Sequence, residues 1–135
     1  MLSTASKYAT VAMHAVESAS HGMHPLQAWQ LASLKVFPHS LSRQRKGCPK
    51  STFLGLAQEG ELIGIPSGRY TNAEENKRYA LTALSFLRSN PLLANDPKRL
   101  WIEIMRAEGY DKVHNHQMEV VAALWHAKKF ACQAT

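Results

Sequence analysis

ELIGIPSGRYT, residues 61–71, is the stretch on which the fold class turns. Leu62, Ile63 and Ile65 suit a strand, whereas Gly64, Pro66, Ser67 and Gly68 are turn residues. The segment reads as an ordered loop or as a hairpin of minimal length. The chain on both sides of it has helical periodicity. The expectation is therefore an all-α, single-domain bundle of five to six helices with one short Gly/Pro-rich turn or minimal hairpin at residues 62–70.

Working outward, Thr71-Asn72-Ala73-Glu74 has the spacing of a capping box for the next helix. Tyr79, Ala80, Ala83, Leu84 and Leu87 then form its apolar stripe, and Asn90-Pro91 closes it. Asp96-Pro97 pairs an N-cap with a first-turn proline and opens a helix carrying Leu100, Trp101, Ile104 and Met105, with Gly109 as its stop. A last helix begins near Asn115, turns Met118, Val121, Leu124 and Trp125 inward, and places Lys128 and Lys129 in its final turn.

Upstream, Pro49 opens a helix with Phe53, Leu56 and Ala57 on one side and Gly60 as its stop. A second helix runs from Pro25 to the break at Pro38, with Leu26, Trp29, Leu34 and Phe37 as apolar anchors. Tyr8, Val11, Ala12, Ala15, Val16 and Ala19 recur at spacings of three and four and make one face of a first helix, ended by Ser20-His21-Gly22. The three tryptophans fall on apolar stripes and read as core.

The 135 residues suit one domain over 1–135. No apolar run is long enough for a bilayer, which argues against a membrane partner. The opening MLSTASKYATVAMHAVESAS reads as an amphipathic helix, not a signal peptide. Cys48 and Cys132 are too few for a disulfide framework, which favours a cytoplasmic location. Composition leaves the oligomeric state open.

The net charge is +6, and it is unevenly placed. Between Glu17 and Glu59 there is no acidic residue, while Lys35, Arg43, Arg45, Lys46 and Lys50 lie in that interval. Within SRQRKGCPKS, residues 42–51, a basic loop leads into a helix start. Free first-turn amides near Lys50 and Ser51, a positive dipole end and the adjacent cations would make an anion site. Arg43, Arg45 and Lys46 extend it along a phosphate backbone. The bland reading is a solvated connector whose cations aid solubility. The second and third helices also admit a helix-turn-helix, with Lys50, Ser51 and Thr52 at the reading end. Residues 38–48 are a long turn for that motif.

Arg69, Tyr70, Lys77 and Arg78 make a second cluster, with Tyr70 able to stack on a base or to cover the loop. Glu74 and Glu75 stand at helical spacing from the two cations and offer ordinary ion pairs instead. Of the seven histidines, His114 with His116 and His21 with His24 are closely spaced, and His126 follows. No cysteine or carboxylate completes a structural-zinc spacing, so no metal or other cofactor is expected. Cys48 at a helix start beside Lys46 and Lys50 is in a setting that activates thiols, with His39 near in sequence.

The run GCPKSTFLGLAQEGELIGIPSGRYTNAEENKRYAL, then NDPKRLW and HNHQMEVVAALW, resembles a family of small uncharacterised bacterial proteins, a domain of unknown function. The likeness runs from about Ala28 to Trp125 and rests on GCPK…FLGL, GIP-x-G-x-YT and NK-x-YAL. It implies a bacterial, mostly helical single domain and supplies no reaction or ligand. From the residues themselves, the expected function is a non-enzymatic nucleic-acid-binding or regulatory module for DNA or RNA. A module docking an acidic protein partner is the alternative, and an enzyme with Cys48 as nucleophile is a second one.

Overall fold

The computed structural model describes residues 3–131 and 133. Its elements in chain order are α1 (Thr4–Ser20), α2 (Pro25–Val36), a single turn α3 (Leu41–Gln44), α4 (Gly47–Gln58), α5 (Glu74–Ser89), a 3-10 turn (Pro91–Asn95), α6 (Pro97–Glu108) and α7 (Gln117–His126). The chain is an all-α bundle around one core.

Local chemistry explains most of the helix boundaries. Ser3 Oγ accepts the Ser6 N–H at 3.1 Å to start α1. Before Pro25, His24 Nδ1 accepts the Leu26 N–H at 3.1 Å and starts α2. Asp96 Oδ1 accepts the Arg99 N–H at 3.1 Å ahead of Pro97, and Gly109 ends α6 at φ 81°. Four expected boundaries or faces move. Helix α4 begins at Gly47, two residues before Pro49. Helix α5 begins at Glu74 with Ala73 as N-cap, because the Thr71 hydroxyl accepts the Ala73 N–H instead of capping the helix. Helix α7 stops at His126, so Lys128 lies beyond it in a left-handed conformation at φ 58°. Leu34 of α2 is 51 % exposed and anchors nothing.

Helix α1 buries Tyr8, Val11, Ala12, Ala15 and Val16 and packs on α7 and on α2, where Ala28, Trp29 and Ala32 are buried. The short alanines allow close approach, and the longer side chains fill what remains. Trp29, Trp101 and Trp125 all belong to the core. Two helices lie inside the bundle. Helix α7 packs on α1, α4, α5 and α6. Helix α4 is buried continuously from Ser51 to Ala57 and packs on α2, α5 and α7. It crosses α5 so closely that a Cβ at Gly55 would stand 2.9 Å from Lys77 Cβ.

Residues 61–71 take the loop form. Leu62 makes an isolated antiparallel bridge, but its partner is Phe130 rather than a neighbour within the loop. Ile63 N–H donates to Lys129 O at 2.9 Å, and Ala131 N–H donates to Glu61 O at 2.8 Å. Among the described residues no helix is long and apolar enough to cross a membrane.

Candidate functional site

The basic segment is an ordered corner. Ser40 Oγ accepts the Arg43 N–H at 3.3 Å and begins α3. Gln44 Nε2 donates to Phe37 O at 2.7 Å, and the Tyr8 hydroxyl of α1 donates to Arg43 O at 2.8 Å. Arg43 and Arg45 are exposed, and Lys46 and Lys50 are half-buried. Lys46 is the N-cap of α4 and provides no side-chain cap. Beside it, Gly47 faces open space. Among the described residues, none of these four cations reaches a carboxylate within salt-bridge distance. The Lys7 ammonium stands 5.9 Å from the centre of the Phe37 ring and adds a fifth cation to this corner.

The earlier start of α4 moves the free amides. They belong to Gly47 and Cys48, since Pro49 has no N–H and Lys50 and Ser51 are the fourth and fifth residues of the helix. Ser51 is 8 % exposed and Thr52 fully buried, its hydroxyl donating to Cys48 O at 2.8 Å. A reading helix needs a free face, and α4 has none, so the helix-turn-helix geometry is excluded.

The second cluster lies at the other end of α4. Gln58, its last residue, accepts the N–H groups of Tyr70 at 2.8 Å and Thr71 at 3.0 Å. The Tyr70 hydroxyl donates to Pro66 O at 2.6 Å and its ring meets His24 edge-on, so Tyr70 covers its own loop. Arg69 is exposed. Lys77 is bound by Glu74 at 3.1 Å and Glu59 at 3.4 Å. Arg78 Nε binds Glu108 Oε1 at 2.8 Å and its guanidinium donates to the Tyr110 hydroxyl at 3.1 Å. These hydrogen bonds hold both cations above their ordinary pKa values. Lys112 pairs with Glu75 and holds that carboxyl below the usual range.

A model of a family of unknown function, DUF6979, matches residues 5–131. The chain belongs to DUF6979. No curated protein matches it, and no solved structure does. The stretch that carried the resemblance, from about Ala28 to Trp125, lies within the DUF6979 match, as do both cation clusters.

Cys48 of this DUF6979 chain is a half-buried free thiol. It lines a recess of about 460 Å³ with Glu75, Tyr79, Trp101, Asp111, Lys112 and Asn115, and no histidine lines that recess. The expected neighbour His39 is not there. Cys132 lies outside the described residues.

The histidines mostly serve backbone ends. His21 Nδ1 lies 2.8 Å from Glu17 O, and His126 Nε2 lies 3.0 Å from Ala94 O. His114 Nε2 accepts the Met118 N–H at 3.0 Å and so helps cap α7. Among the described residues no group of three His, Cys, Asp or Glu is arranged to hold a metal ion.

His116 differs from the others. It is the N-cap of α7 at φ 68°, and its ring stacks on Tyr8 with centroids 5.0 Å apart. Its Nδ1 is buried without a hydrogen-bond partner and lies 3.9 Å from Glu119 Oε1. Glu119 Oε2 is likewise buried and unpartnered, 3.3 Å from His114 Nε2. Burial, helped by Lys46, pushes His116 below the ordinary imidazole value against the pull of Glu119. Burial does the same to His114. No spacing along the chain places Tyr8 and His116 at the basic corner, because 35 residues separate Tyr8 from Arg43 and both residues read as ordinary core or loop positions.

Proposed function

We propose that the protein is a non-enzymatic module that binds DNA or RNA by its phosphates, through Arg43, Arg45, Lys46 and Lys50. One observation carries this reading. These four cations share one ordered corner and have no carboxylate partner among the described residues, so their field is directed outward. Lys7 extends that field onto α1. Arg69 is a candidate outlying contact. Lys77, Arg78 and Tyr70 are already engaged within the fold, and Ser51 is turned inward.

Phosphate contacts of this kind carry little sequence information and strong salt dependence. Four of them give a slope of log affinity against log salt of about −3.6 for duplex and about −2.8 for single strands. Retention of the purified protein on immobilised duplex and single-stranded polymer at low salt tests the reading. Elution at the lowest salt from both would overturn it.

A second reading is a module that docks an acidic protein partner through the same cations. The observation favouring it is apolar exposure beside them, with Leu34 at 51 % and Leu41 at 55 %. Replacing both leucines by serine separates the two: loss of binding to an acidic protein favours docking, whereas unchanged polymer retention favours phosphate contact. The Cys48 enzyme gains no support, since no histidine lines the recess beside the thiol. Sluggish alkylation of the half-buried Cys48 near neutral pH is the expected result.

A further inference from the structure

We propose that His116 and Glu119 form a proton-binding pair behind the basic corner, so that an anion at Arg43 and Lys46 is held more tightly when His116 is charged. This names a regulation of the surface proposed above and rests on that reading.

The pair is an unfinished interaction. His116 Nδ1 and Glu119 Oε2 are buried side-chain atoms without hydrogen-bond partners. The nearest approach of the two residues, Nδ1 to Oε1, is 3.9 Å, too long for a hydrogen bond. Unpartnered buried polar atoms are costly; with the neutral ring's hydrogen on Nε2, one added proton gives Nδ1 a hydrogen for Glu119, and closing the 3.9 Å gap makes a charge-assisted bond.

His114 is poorly placed to take that proton, although its Nε2 is nearer the carboxylate at 3.3 Å. Its Nε2 lone pair already accepts the Met118 N–H. Protonation there would break the cap of α7, whereas protonation of His116 breaks nothing.

The charged surroundings set the sign. From α7 itself Glu119 faces the ring, and from the preceding loop comes His114. From the start of α4 comes Lys46, and from α1 comes the Tyr8 ring, whose hydroxyl holds Arg43 O. Lys98 of α6 acts on His114. While His116 is neutral, Glu119 keeps an uncompensated negative charge behind the cations. Protonation of His116 cancels it and makes the corner more positive. Conversely, an anion neutralising Lys46 removes the repulsion that adds to burial in keeping the proton off His116. The two events favour each other by the same factor. Because one proton is taken up, affinity rises by at most about tenfold per pH unit between the free and bound titrations.

The test measures affinity for a short DNA duplex at about pH 5.5 and about pH 7.5, at fixed salt. The wild type is expected to bind about three- to tenfold more tightly at the lower pH. His116→Asn, which keeps a residue tolerant of left-handed backbone, is expected to lose that ratio. Glu119→Gln, which removes the carboxylate that favours the charged ring, shifts the rise to lower pH. A rise that persists in His116→Asn overturns the inference and leaves the binding surface standing. Absence of wild-type binding at both pH values overturns the surface and the inference together. Without any polymer, the His116 ring should titrate higher by NMR in Lys46→Gln than in the wild type, and an unmoved titration also overturns the inference.

Discussion

Along α5 and the turn after α6, cations and acids are matched. Lys77 has Glu59 and Glu74, Arg78 has Glu108, Lys112 has Glu75, and the hydroxyls of Tyr79 and Tyr110 meet at 2.7 Å between them. At the corner that leads into α4, Arg43, Arg45, Lys46 and Lys50 have no acid to match among the described residues. The two regions have similar positive residue counts and opposite uses. One region ties α5 to α6 and to the turn after it, and the other leaves its charge available. Formal charge read along a chain does not distinguish these cases, because all the matching acids except Glu74 come from 18 to 37 residues away.

The largest expected effect breaks the comparison at the unmatched corner. Charge reversal in Arg45→Glu with Lys46→Glu should lower duplex affinity about a hundredfold at low salt and flatten the salt slope by about two. The thermal midpoint should hardly move, since no partner within the fold is lost; a large fall in the midpoint would show that these cations are structural after all.

Next is the close crossing that supports the matched region. Gly55→Ala forces a Cβ to 2.9 Å from Lys77 Cβ and 3.0 Å from its Cα. Overpacking of this kind costs about 1–3 kcal/mol, to be read from chemical denaturation. An unchanged midpoint would mean that α4 and α5 can separate without loss. A smaller change, Tyr8→Phe, removes the hydroxyl bound to Arg43 O and should cost about 0.5–1.5 kcal/mol while also weakening duplex binding. Stability lost without any change in binding would separate the corner's shape from its field.

Acid should act through the imidazoles. In the unfolded chain His114 and His116 take protons near about pH 6.5, whereas in the folded one burial delays them to lower pH. Folding stability is therefore full above that value and declines as the pH falls through the depressed folded titrations. A thermal midpoint that is flat or rises between neutral pH and about pH 5.5 would contradict this. The smallest effect is in the matched region. Arg78→Ala should lower the midpoint slightly, and added salt should shrink the difference, because the pair with Glu108 is exposed on the arginine side.

Those two regions also mark where sequence was a good guide. Helix boundaries set by neighbours in the chain were legible: the proline after His24, Asp96-Pro97 and Gly109 act within one turn. So were the stripes that became the core. Boundaries decided by a competing local bond were missed, as where Thr71 served Ala73 and α5 began later. The interior position of α4 was missed for a different reason. Its expected apolar side was narrow, but Ser51, Thr52 and Gly55 are small enough to be buried too, so the helix is enclosed all round. The candidate site was half legible. An acid-free interval is visible in the letters, and so is the prospect that Glu74 would take Lys77. The Tyr8 hydroxyl under Arg43 and the unfinished His116–Glu119 pair depend on residues brought together from α1 and α7, and no spacing announces them.

The bridge between Leu62 and Phe130 has a temporal side. A ribosome delivers residue 62 long before residues 129–131, so the amide of Ile63 and the carbonyl of Glu61 must wait for their partners. Until then two backbone groups of the 61–65 segment lack the partners they have in the folded chain. A protease applied to released chains truncated before residue 129 should cut within 61–65, and should lose that site in the full chain.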